Sequence, residues 1–257
     1  MKKLLKNQMA VFAVGMCYCS GLANASSSVV YNYTGESYGG LGMGISVSDY
    51  TGPALVGEFV MTSTTPGYTT PLYTYCTDVN EWLQNTYTYT PTPITSATGA
   101  SPLWISGGGK NAANVWYNNH NNTSDATQNA GLQLAIWELL YNNVTTTISY
   151  STFFDAANNG FFLTDTSDAN AVAAASDAAD FINNLGSQPD NSGKVDWLAP
   201  TDANGQIGGS QGLLTVNPGT SSPPHTVPDS TPSLELLGLT AATLMLFRKN
   251  MDFGSKA

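Results

Sequence analysis

Between Asp125 and Asn142 the apolar positions recur at intervals of three and four residues, the spacing of a helix that keeps one face in a core. Asp125 stands where an N-cap belongs and Gln128 completes a capping-box pattern, which predicts a helix over 126–142. Gln133, Ile136, Trp137 and Leu140 fall on one face of that helix, and Leu132, Ala135 and Leu139 widen it into a broad apolar stripe. A primary amide, Gln133, therefore points toward the core. Buried without partners it would cost about 1–3 kcal/mol, so the fold must either satisfy the amide or consume it.

Elsewhere the pattern changes to short runs of β-branched and aromatic residues bounded by Gly, Pro and Ser, which predict strands over 29–33, 55–63 and 86–90. The run 73–78 predicts another, with Cys76 near its end and with Tyr73 and Tyr75 on the face opposite Thr74 and Cys76. A short helix is expected over 111–117, ended by the polar cluster 118–122. A further helix over 168–185 places Val172, Ala175, Ala179, Ile182 and Leu185 on one face, with Gly186 in the stopping position. The segment 144–150 is too polar and β-branched to prolong the central helix, while Trp197-Leu198 and 212–216 return the chain to the sheet. Strands and helices segregated in this way predict an α+β fold, a β-sheet or barrel core with an inserted helical part over roughly 111–185 that carries Gln133.

The ends read as address labels. Three lysines within the first six residues, an apolar run over 9–16 and Ala23-Asn24-Ala25 before Ser26 predict a secretory signal peptide over 1–25. Its removal takes away Cys17 and Cys19 and leaves Cys76 as the one thiol. At the other end, a Pro/Ser linker and short motif over 218–230 precede an apolar helix-forming stretch with a basic stop over 231–250 and a tail over 251–257. Val227-Pro228-Asp229-Ser230 followed by that helix and Arg248-Lys249 resembles the VPDSG variant of the PEP-CTERM sorting signals, with Thr231 where the variant carries glycine. The resemblance implies an exosortase-type processing enzyme, a transient passage of the C-terminal helix through the inner membrane, and retention at the cell envelope or in extracellular polymer.

Between those labels, from 26 to 226, the chain has two basic residues against fifteen acidic ones, a net of −13. Such a balance excludes binding to a phosphate backbone, so no nucleic acid is expected. It is also the ordinary balance of an acidic, solvated surface.

A single cysteine in an exported protein has no internal disulfide partner, and on its residues alone it is either a small core hydrophobe, an intermolecular bridge or a reactive thiol. Tyr75-Cys76-x-Asp78 and Gln133-x-Ala135-Ile136-Trp137 together resemble the two signatures of bacterial thioester domains, although Leu132 stands where a threonine is often found. The match extends in outline over 26–217 and is tight only at those two motifs. The resemblance implies a Cys76–Gln133 thioester that joins covalently to an amine- or hydroxyl-bearing surface protein or polysaccharide, an adhesion-like single turnover rather than enzymatic catalysis.

The bond would need shielding from water, for which Tyr73, Tyr75, Trp137 and Tyr141 are candidate walls and His120 and Asp78 candidate assisting groups. Two readings compete with this one. In the first, Cys76 and Gln133 merely pack in a non-covalent surface or extracellular-matrix protein. In the second, Cys76, His120 and an acid such as Asp125 or Asp155 form the thiol machinery of a transglutaminase-like or hydrolytic enzyme; His120, inside an Asn-rich run, is expected in an exposed loop. No cofactor is called for, and the oxygen-bearing residues Asp165, Asp168, Asn170 and Asp202 read as turns and a helix cap rather than a calcium loop.

Overall fold

The computed structural model describes residues 28–216 except 48–49, 67, 69–70, 80, 95–107, 145–146, 158–159 and 205–206. The signal segment 1–25, the linker with Val227, Pro228, Asp229 and Ser230, the apolar stretch 231–250 and the tail lie outside the described residues.

Nine strands follow in chain order among the described residues: β1 (Val29–Glu36), β2 (Leu41–Val47), β3 (Tyr50–Val56), β4 (Phe59–Ser63), β5 (Leu72–Cys76), β6 (Thr86–Pro93), β7 (Phe161–Leu163), β8 (Val195–Pro200) and β9 (Leu213–Val216). Six of them close a barrel in the order β1-β4-β5-β9-β8-β6, and the other three form a second sheet, β3-β2-β7. Every pairing is antiparallel. Among the described residues three α-helices, α1 (Gly108–Asn119), α2 (Ala126–Trp137) and α3 (Ala169–Asn183), enter between β6 and β8, so the fold is α+β with a helical insertion into a barrel.

The apolar run 55–63 is not one strand. It closes β3 at Val56, turns at Gly57, whose φ of +150° suits a residue without a Cβ, and opens β4 at Phe59. The insertion also holds a strand, β7, pairing with β2 through Ile45 and Leu163. Its three residues are too few for a periodic pattern to declare them.

The central helix starts as its residues predict. Asp125 caps it, accepting from the Gln128 N–H at 2.9 Å, but the Gln128 side chain reaches past the cap to the N–H of Ser124. From Glu138 to Asn142 the coil widens into a π-turn, which ends at Asn143 in the left-handed region. Burial is not confined to a stripe: every residue from Asn129 to Leu140 is buried, because α2 is wedged among α1, α3 and the strands β2 and β3. Gly131 permits the approach of α3, since a Cβ there would sit 2.7 Å from Asp177 Cβ and 2.9 Å from the Ala174 carbonyl. On α3 the buried positions are Ala171, Ala174, Ala175, Ala178, Ala179 and Ile182, a small-residue face that suits close packing. Val172 and Leu185 are only half-buried, and α3 ends in a 3₁₀ turn over Leu185–Ser187 rather than on a left-handed glycine at Gly186.

Candidate functional site

The last two residues of β5 each bind α2, one helical turn apart. Tyr75 donates its hydroxyl to Asn129 Oδ1 at 2.8 Å. Cys76 donates its main-chain N–H to Gln133 Oε1 at 2.8 Å, and Gln133 Nε2 donates back to the Cys76 carbonyl at 2.8 Å. Residues four apart share a helix face, so Asn129 and Gln133 address consecutive residues of one strand. All four residues are buried. With both ends of its amide paired, Gln133 avoids the desolvation penalty, and its carboxamide lies against the residue that carries the thiol.

β5 was expected to alternate between an aromatic and a small-residue face. Neither face is open to solvent at its end, since Thr74, Tyr75 and Cys76 are all buried. Cys76 Sγ–H donates to Gln211 Oε1 at 2.6 Å. Burial, and after it the Asp78 carboxylate, push the Cys76 thiol well above its ordinary value, so the neutral S–H is the resting form.

Gln211 is presented by a short segment fixed on three sides. The Tyr87 hydroxyl donates to the Gly208 carbonyl at 2.6 Å, Ser210 Oγ shares a hydrogen bond with the Tyr89 hydroxyl at 3.0 Å, and the Thr77 N–H donates to the Gly212 carbonyl at 2.8 Å. Gly212 has no room for a side chain: an added Cβ would lie 2.6 Å from Thr77 Oγ1 and clash with the Trp197 indole.

Around this centre the other expected residues take distinct places. Asp78 accepts from the Tyr141 hydroxyl at 3.4 Å, and that hydroxyl in turn accepts from the Val79 N–H at 3.0 Å. Burial and then the Asp78 charge push the Tyr141 phenol above its ordinary value. Trp137 is buried beside Phe161, with ring centroids 5.6 Å apart, and its indole N–H has no hydrogen-bond partner among the described residues. Together with Val79 and Gln211 it lines a pocket of about 240 Å³. Tyr73 is half-buried in register with Val60 on β4.

His120 is not in an exposed loop. It is 5% exposed, stacks on Trp116 at 4.4 Å, and sets Nδ1 at 3.1 Å from the carbonyls of Trp116 and Tyr117. The Asn-rich run is the end of α1, and the imidazole finishes that helix by facing its last carbonyls. Asp125 is the cap of α2, and Asp155 accepts from the Ala157 N–H in a turn at 2.9 Å. Asp165 bonds Ser167, and Asp168 caps α3. Among the described residues no group of three His, Cys, Asp or Glu side chains is placed to hold a metal, and no helix is long and apolar enough to cross a membrane.

Two residues of the site escaped the sequence. Asn129 was legible in principle, since Asn129-x-x-x-Gln133 puts two amides on one face of a predicted buried helix. Gln211 carried no signal, being 135 residues from Cys76 in a Gly-rich segment. Comparison with known protein families, curated proteins and solved structures returns no match.

Proposed function

We propose that Cys76 and Gln133 condense into an internal thioester, and that this exported protein uses it for covalent attachment to a nucleophile on a surface or matrix partner. The observation that carries the reading is the paired contact between the Gln133 carboxamide and the Cys76 main chain, at 2.8 Å in both directions. Sγ attacks the Gln133 carboxamide carbon, the C–N bond breaks, and nitrogen leaves as ammonia with the thiol proton. The Cys76 N–H at Oε1 stabilises charge that develops on that oxygen, as an oxyanion-hole donor does. The product is uncharged, so a site too buried to hold a thiolate at rest is still a site that can hold the acyl-sulfur bond.

A partner amine or hydroxyl then attacks the same carbon. Sulfur leaves and regains a proton, and Gln133 remains joined to the partner through an amide or ester. The bond is used once. The acidic surface, the signal peptide and the envelope-sorting motif support a role outside the cytoplasm, in adhesion or in assembly of extracellular material.

The test is intact mass of the mature chain. A thioester makes it lighter by one ammonia, and methylamine adds one adduct at Gln133 while freeing one thiol. Cys76→Ala is expected to abolish both the deficit and the adduct; a deficit that survives this substitution defeats the reading. A second reading has its own observation. The same pair of hydrogen bonds satisfies Gln133 without any covalent step, as a clamp between barrel and helix in a structural matrix protein, and a full-mass chain inert to methylamine is its expected outcome.

A further inference from the structure

The pocket beside Gln211 is lined from β1, β3 and β4, from the segment that follows β5 and from the last residue of α2. Its deep part includes Val79, three residues after Cys76, and Trp137, one helical turn after Gln133. Gln211 belongs to both places: it lines the pocket, and its Oε1 accepts the Cys76 Sγ–H at 2.6 Å. This side chain therefore connects the cavity to the sulfur.

The rest of the wall has a definite chemistry. Tyr33, Tyr50, Phe59 and Trp82 give it aromatic faces, and Trp82 stands 73% exposed at the rim. Glu81 is the one charged side chain among the described lining residues. Neither lysine of this part of the chain lines the pocket: Lys110 pairs with Asp190 at 2.7 Å, and Lys194 lies 5.0 Å from the centroid of the Tyr117 ring. A cavity with aromatic faces, one carboxylate and no cation is complementary to a positive charge on an apolar stem, since rings attract cations through their faces and the stem buries against them.

We propose that this pocket is the port by which a primary alkylammonium group reaches the Cys76–Gln133 bond, with Gln211 closing its inner end. The proposal rests on the thioester reading and deepens it by choosing an amine on an unbranched alkyl stem over a hydroxyl. The stem lies along the aromatic walls, and the ammonium is drawn in by Glu81 and releases a proton to solvent. Gln211 turns aside, and the neutral amine attacks the acyl carbon. The carbon–sulfur bond breaks, the amine's second proton is lost as the amide forms, and Cys76 leaves as the thiol.

The experiment follows adduct formation on the mature protein by intact mass, with n-pentylamine, methylamine and glucose as probes at matched concentration and pH. The expected result is that n-pentylamine reacts about tenfold faster than methylamine, and that glucose is slowest. Trp82→Ala removes the exposed rim ring and is expected to erase the n-pentylamine advantage over methylamine. Gln211→Ala is expected to shorten the life of the bond in buffer by admitting water.

A chain with no ammonia deficit and no methylamine adduct removes the cross-link and, with it, the port. A deficit present but n-pentylamine no faster than methylamine, or equally fast in Trp82→Ala, overturns the port and leaves the thioester standing. Glucose as the fastest probe overturns it in favour of a sugar hydroxyl, and an unchanged lifetime in Gln211→Ala overturns the closing role of that residue.

Discussion

At the scale of single residues, the centre is a match between two consecutive positions on a strand and two positions a turn apart on a helix. Tyr75 meets Asn129 and Cys76 meets Gln133. The first pair fixes the level at which the second meets. Asn129 is in turn held by Ser37 at 3.4 Å, and the Ser37 hydroxyl is hydrogen-bonded to the Glu58 carboxylate, so the alignment reaches the end of β1 and the start of β4, the neighbour of β5 in the barrel. Burial and then the Glu58 charge push the Tyr75 phenol well up, which keeps it a neutral donor at any working pH. Asn129→Ala leaves that buried hydroxyl without its acceptor and is expected to cost about 1–3 kcal/mol. Tyr75→Phe combined with Asn129→Ala is expected to cost less than the sum of the two single changes, because both remove the same bond. Urea unfolding of the three variants measures this, and additive losses would show that Tyr75 and Asn129 act separately. In the single variants, a reduced ammonia deficit is the further sign that this pair sets the register for Cys76 and Gln133.

At the scale of elements, α2 explains both what the sequence reveals and what it conceals. Its cap, its length and the inward amide are written in Asp125, the apolar spacing and Gln133, because those depend on neighbours within a few residues. That it is buried on all sides is not written there. The burying surfaces are α3, nearly forty residues later, and strands from the other end of the chain, and a periodic stripe cannot announce a helix enclosed by distant partners. The same limit hid Gln211, whose role arises only when β9 pairs with β5, and it misplaced His120, which sits one residue past the end of α1 and is buried against Trp116 rather than exposed. The strands were readable where Val, Thr and Tyr cluster, and unreadable where β3 and β4 join through Gly57-Glu58, a break of only two residues. Gly131 marks the closest contact between α2 and α3. Gly131→Ala pushes a methyl group onto the α3 main chain at Ala174 and is expected to destabilise by about 1–3 kcal/mol despite alanine's better helix propensity. Thermal unfolding decides between the two effects, and a gain in stability would mean that α3 can step aside.

At the scale of the whole molecule, charge and burial set how stability follows pH. Burial raises two carboxyls: Glu138, inside the π-turn that ends the central helix, is pushed from 4.5 to about 7, against the opposing hydrogen bond from Asn142, and Asp196 in the barrel wall is pushed from 3.8 to about 6. Both values lie above those of the unfolded chain, so over this interval the native state holds more protons than the unfolded state. Stability from these groups is then fully present below about pH 4 and lost as pH rises toward 7, opposite in sign to the usual paired carboxylate. For Glu138 the full window is worth roughly 3 kcal/mol. Glu138→Gln keeps an acceptor for the Asn142 amide at 2.8 Å and cannot ionise, so it is expected to match the parent near pH 4 and exceed it by up to that amount at pH 8. Unfolding midpoints measured across this range check the slope, and a parent and variant that run parallel would mean that Glu138 ionises in the folded chain without penalty. The centre at Cys76 is insulated from this titration, since its thiol stays neutral throughout and an acyl-sulfur bond carries no charge. For the proposed thioester, a loss of amine reactivity that tracked the unfolding slope would therefore report loosening of the helical insertion around α2 rather than any change in the chemistry of the bond.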